Sequence, residues 1–154
     1  MRGALFGVSV LLGGMVGVAV MAQLVLDWQP CVMCVEIRAL LLAAALLFFL
    51  ASLMGKGLAR KVLVGAAVMA GGWSCWVSGG LFALEKGWVH SFGCSPFARF
   101  PSWMPLNEWV PVLFQPEGIC GESVKTVLGV PLSAWPILVF IVCVVGLMGR
   151  IRKV

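Results

Sequence analysis

Charge is what this chain has least of. Only 11 % of its 154 residues are charged and 62 % are hydrophobic, whereas a soluble domain carries about 25 % charged residues. That scarcity excludes an ordinary soluble globular domain and points to an integral membrane protein. Histidine is almost missing too, with His90 standing alone. A zinc site from Cys31, Cys34, His90 and one more cysteine would lack both a second C-x-x-C and an H-x-x-x-H. No metal is therefore expected, and His90 reads as a loop residue. Acidic residues number six against eleven basic ones. The net charge of +5 follows from how the basic residues are sorted by side, so it implies no nucleic-acid partner.

The few charges mark out the spans. Gly3 to Leu26 runs 24 residues without one, Ala39 to Gly55 17, Val62 to Leu84 23 and Gly129 to Gly149 21. A helix needs roughly 20 apolar residues to cross the hydrocarbon. The second gap falls short by about a turn, so its helix must begin before Ala39 and draw Arg38 to the outer edge of the bilayer. The expected fold is all-α: a membrane-embedded bundle of four transmembrane helices forming one domain over residues 1–154, with spans at about 3–26, 34–55, 62–84 and 131–149 and external loops at about 27–33 and 85–130.

Arg2, Lys56, Arg60, Lys61, Arg150, Arg152 and Lys153 all fall on one side of this arrangement. The positive-inside rule makes that side, and both termini, cytoplasmic. The other side holds Arg38, Lys86, Arg99 and Lys125 with all six acids. Val20-Met21-Ala22 resembles a signal-peptide cleavage site, but the apolar run before it exceeds a usual signal core, so the first span is expected to stay. That span carries Gly13, Gly14 and Gly17, small residues suited to close helix approach. Gln23 is its only amide and lies near the outer end.

Chemistry concentrates in Gln29-Pro-Cys-Val-Met-Cys-Val-Glu-Ile-Arg38. Pro30 suits the first turn of a helix, which puts Cys31 and Cys34 at the helix start. Unpaired N–H groups there favour negative charge and make a thiol a better nucleophile. Arg38 follows Cys34 by four residues and shares its helix face. A cation over a thiol at the membrane surface suits a thiolate or a reduced electron acceptor. The bland alternative is a structural disulfide beside an interfacial arginine.

The segment 85–130 is the one sizeable part outside the spans. Trp103, Leu106, Trp109, Val110 and Leu113 recur at helical spacing, but Pro105 and Pro111 forbid a long helix. Short helical pieces are expected, lying on the bilayer surface or packed over the mouth of the bundle. Cys94 and Cys120 bracket this stretch. Four cysteines thus face the exterior and allow three connectivities, of which Cys31–Cys34 with Cys94–Cys120 is the most economical. Cys75 and Cys143 lie inside spans, where a thiol serves as a small hydrophobe.

Taken together these features resemble the disulfide bond formation protein B (DsbB) family over nearly the whole chain. The resembling residues are Cys31-Val-Met-Cys34 with Glu36-x-Arg38, Cys94, Arg99-Phe-Pro-x-Trp-Met-Pro-Leu-x-x-Trp-Val-Pro-x-x-Phe114, Cys120-Gly-Glu122, Leu128-Gly-Val130 and Trp135. The resemblance implies a protein disulfide oxidoreductase of the bacterial inner membrane. It would re-oxidise a periplasmic DsbA-like dithiol protein and pass the electrons to ubiquinone or menaquinone. Carried over, Cys94 is the sulfur attacked by the partner and Cys120 its mate. Cys31 and Cys34 re-oxidise that pair, Cys34 lies nearest the quinone, and Arg38 supports the charge that develops there. The pattern departs from the family at Glu85-Lys86, where members carry Glu-His near the quinone, so Lys86 and His90 receive no role. The competing function is a non-enzymatic four-span scaffold stapled by two disulfides.

Overall fold

The computed structural model describes residues 2–90, 102–103, 105–116 and 126–151. Four long helices dominate: α1 (Arg2–Leu26), α2 (Val32–Leu53), α3 (Leu58–Glu85) and, after two single-turn helices, α6 (Trp135–Ile151). The single-turn helices are α4 (Leu106–Trp109) and α5 (Pro111–Phe114). A two-stranded ladder, β1 (Thr126–Val127) with β2 (Val130–Pro131), and a 3-10 turn (Leu132–Ala134) lead into α6. Four helices are long and apolar enough to cross a membrane, and the fold is all-α apart from that small ladder.

Each boundary has a local cause. Asp27, at φ 52°, ends α1 in the left-handed region that aspartate tolerates better than most residues. Cys31 is the N-cap of α2, in extended conformation, and its sulfur accepts from the Cys34 N–H. Pro30 therefore stands just before the cap rather than in the first turn, and it restricts Gln29 instead of filling N1. At the far end of α3, Gly87 at φ 71° permits a Schellman closure: Gly87 N donates to Leu84 O at 3.0 Å and Trp88 N to Ala83 O at 2.9 Å. The Trp88 ring then packs edge-on against Phe82, centroids 6.1 Å apart. Pro111 opens α5 as its N1 residue, directly after Val110, which closes α4. Leu128 and Gly129, both at positive φ, form the tight turn between β1 and β2.

Helix α2 sits at the centre, buried along most of its length by α1 and α3. Leu12, Met33, Val35, Ala44, Phe48 and Ala51 are sealed from solvent, while Val18, Leu24, Leu46, Met69 and Val142 face outward as lipid-facing residues would. Polar side chains stitch the helices together. Ser9 Oγ donates to the Ala45 carbonyl at 2.8 Å. Ser78 Oγ donates to the Ser133 carbonyl at 2.6 Å, and Ser133 Oγ donates to Glu85. In lipid such bonds matter because no water competes for them.

Close helix approach occurs away from the place expected. A Cβ added at Gly13, Gly14 or Gly17 would meet nothing within 4 Å among the described residues. One added at Gly71 would lie 2.0 Å from Cε2 of Phe140. The tight seam is therefore α3 against α6, with the Phe140 ring lying over the bare backbone of Gly71. Helix α3 also starts earlier than its charge gap, taking in Arg60, which is buried, and Lys61, which is exposed and can run out from the helix end to water.

Candidate active site

The site is assembled at the outer end of α2 and α1. The Cys31 and Cys34 sulfurs stand 2.9 Å apart as free thiols sharing a thiol hydrogen. The Cys34 backbone N–H also donates to Cys31 Sγ at 3.4 Å. A side chain on the N-cap reaches back over the first turn by the same geometry that lets a serine cap a helix, so the C-x-x-C spacing brings the two sulfurs together. Cys31 is buried and Cys34 half-buried.

These contacts hold the Cys31 thiol below its ordinary value. The hydrogen bond with the Cys34 side chain is the main cause, backbone N–H groups of the first turn add to it, and burial opposes it. The negative charge that appears when the pair loses one proton is thus directed to the cap sulfur, where helix amides meet it.

Arg38 is 7 % exposed, on the same face as Cys34 one turn further in. Its charge acts on both sulfurs. Nη1 donates to Gln23 Oε1 at 2.6 Å and Nη2 to the Ala19 carbonyl at 3.4 Å. Both acceptors are neutral groups of α1, so they orient the guanidinium without cancelling its charge. A guanidinium has five N–H donors. Among the described residues these two bonds leave donors over for an incoming acceptor.

Gln23 carries no role in the sequence-based expectations, although it is the lone amide of its span. Its Nε2 donates to the Val112 carbonyl of α5 at 3.2 Å. The signal was a polar side chain in an otherwise apolar run, but its partners, 15 and 89 residues away, are a matter of folding. Of the five candidate site residues, the fold brings Cys31, Cys34 and Arg38 together, while Cys94 and Cys120 lie outside the described residues. His90 is exposed. Glu85 is engaged by Ser133, and Lys86 lies 5.7 Å over the Phe82 ring.

The fold brings the C-x-x-C thiols and Arg38 together at the head of α2, and comparison with known proteins supports the DsbB resemblance. The family model described as "Disulfide bond formation protein DsbB" matches residues 1–148. The chain belongs to the DsbB family. It is 34 % identical to disulfide bond formation protein B 2 of Pseudomonas aeruginosa over 155 residues, covering 96 % of this chain and 89 % of that one. Against disulfide bond formation protein B of Shewanella denitrificans it is 30 % identical over 133 residues, 83 % of this chain and 74 % of the relative. The Aeromonas salmonicida protein of the same name is 34 % identical over 146 residues, 88 % and 81 % respectively. Four apolar helices and DsbB membership together make this a multi-pass membrane protein of disulfide bond formation.

Proposed function

We propose that this DsbB-family protein is a quinone-dependent thiol oxidase of the bacterial inner membrane, which re-oxidises a periplasmic DsbA-like dithiol protein. The observation that carries this is a buried Arg38 guanidinium, held by two neutral acceptors of α1, on the helix face of Cys34, one turn below two thiols 2.9 Å apart. A structural staple has no use for a cation at that depth, where charge is expensive unless it serves a function.

In this scheme the partner's thiolate attacks Cys94, forming a mixed disulfide and releasing Cys120. Attack by the partner's second thiolate on its own sulfur then frees the oxidised partner and leaves Cys94 and Cys120 reduced. Exchange with Cys31–Cys34 restores the Cys94–Cys120 bond and leaves the dithiol pair at the head of α2. Direct sulfur–sulfur contact is needed at each step. The segment carrying Cys94 and Cys120 must therefore reach the cap of α2, and Val112 on that segment already touches Gln23. Quinone, when bound, accepts the two electrons and two protons that Cys31 and Cys34 give up on closing their disulfide. The residues present suit it: Arg38 has N–H groups to offer a ring oxygen, and Cys34 shares its face. Ubiquinone and menaquinone fit this chemistry equally. The basic residues Arg2, Lys56, Arg60 and Lys61 support cytoplasmic termini, with the thiols on the periplasmic side.

The deciding experiment mixes purified protein with a quinone and a reduced DsbA-like protein and follows quinol formation. The wild type should turn over and Cys34→Ser should not. A scaffold would give no quinol with either protein, and its disulfides would titrate below about −300 mV; an oxidant of DsbA must work near that protein's own potential of about −120 mV. Failure of the wild type to form quinol, or unchanged turnover in Arg38→Ala, would overturn the proposal.

A further inference from the structure

We propose that Gln23 is a positioning residue that couples the seating of the external segment to the aim of the Arg38 guanidinium; this rests on the function proposed for Arg38 above. A carboxamide has one accepting and one donating end, and here the two ends serve two different parts of the site. Oε1 takes the Nη1 hydrogen of Arg38 at 2.6 Å, and Nε2 gives its hydrogen to Val112 O at 3.2 Å. The opposite amide orientation would set two donors face to face at one end and two acceptors at the other. Both contacts together therefore fix the side chain in one state.

The Val112 carbonyl has its own reason to need Gln23. A helix leaves its last four carbonyls without intrahelical partners, and α5 has a single turn, in which Gln115 N takes Pro111 O at 2.8 Å. Gln23 supplies a donor for the next carbonyl along. Phe114 is buried, and α5 rests on α2, so the segment is seated by an apolar anchor and aligned by the amide. On the other side, Arg38 has a long stem with many rotamers, and its direction is set by two oxygens of α1. Among the described residues, losing Gln23 leaves the Ala19 carbonyl alone, at 3.4 Å.

The bridge joins two events that thiol exchange must coordinate: where the segment lies, and how the cation stands beside Cys34. With α5 seated, Gln23 is held at both ends and Arg38 is aimed. With α5 lifted, Nε2 loses its acceptor, the amide can turn, and Arg38 loses its fixed partner. Quinone affinity should therefore depend on a residue that is on neither the thiol helix nor the external segment.

The test uses the full-length protein in detergent or nanodiscs, with two readouts. Hydrogen exchange is followed at the amides of Leu113, Phe114 and Gln115, whose acceptors are Val110 O and Pro111 O. Steady-state kinetics give the quinone KM separately from the KM for the dithiol partner. Gln23→Met should speed exchange at those amides and raise the quinone KM, each by about tenfold, the equivalent of one lost hydrogen bond. Gln23→Glu keeps an acceptor for Nη1 but cannot donate to Val112, so it too must speed the exchange, and it preserves a polar partner should the methionine variant misfold. Unchanged exchange in Gln23→Glu overturns the bridge. Unchanged quinone KM in Gln23→Met overturns the coupling, provided Arg38→Met in parallel does raise that KM. If Arg38→Met leaves it unchanged, the role of Arg38 itself has failed and the coupling falls with it.

Discussion

The seam between α3 and α6 gives the sharpest test of the packing. In Gly71→Ala the new methyl would sit 2.0, 2.5 and 2.7 Å from Cε2, Cζ and Cδ2 of Phe140. Carbon atoms pack comfortably at about 3.5–4.0 Å, so the ring or the whole of α6 must retreat by about 1.5 Å. The ring cannot swing aside cheaply, because Phe140 is itself buried. Overpacking of this kind costs about 1–3 kcal/mol, and the better helix propensity of alanine returns no more than about 1 kcal/mol. A net loss of up to about 2 kcal/mol is expected, read as a shifted tryptophan-fluorescence transition when the protein in mild detergent is titrated with a denaturing one. Phe140→Leu removes the obstructing ring atoms. In that background Gly71→Ala should be neutral or stabilising, a coupling of 1 kcal/mol or more in a double-mutant cycle. If Gly71→Ala is harmless in the wild type and the two substitutions simply add, the ring does not lie on that glycine.

Three further outcomes follow from the description of the site and its surroundings. In the reduced protein Cys31 should be alkylated with a pH midpoint below that of an ordinary thiol, and Cys34→Ala should raise the midpoint, since the Cys34 side chain is the main cause of the lowering. Because the folded value is depressed, this contribution to stability is fully present above the unfolded thiol's value near pH 8.5 and is lost as pH falls through the folded one; denaturant titrations of the reduced protein across that window should show stability rising with pH. Leu128 holds φ 54° and is 88 % exposed, so it bears the strain of the turn with no packing in return, and Leu128→Asn should stabilise the ladder by up to about 1 kcal/mol, visible as slower exchange at Val127 and Val130.

Much of this was legible because hydrocarbon is an exacting solvent. Long uncharged runs can only be spans, so the all-α class and four long helices follow from counting. Pro30 and the paired cysteines located the head of α2, and Pro105 and Pro111 limited the external helices to single turns. Pairwise packing was not legible. Gly13, Gly14, Gly17 and Gly71 look alike in sequence, yet only Gly71 faces a ring, because which glycine needs to be bare depends on which helix lies opposite. Gln23 was visible as an anomaly, but its two partners are remote in sequence. The placing of Cys31, Cys34 and Arg38 on one helix end was local information, carried by a spacing of three and four residues.

Anchoring Val112 to α1 has a mechanical result. In sequence, that fixed point divides the connection between α3 and the last span into a stretch from Lys86 to Pro111, which contains Cys94, and one from Leu113 to Pro131, which contains Cys120. If Cys94 and Cys120 pair as proposed, their bond joins the stretches of sequence on either side of that fixed point.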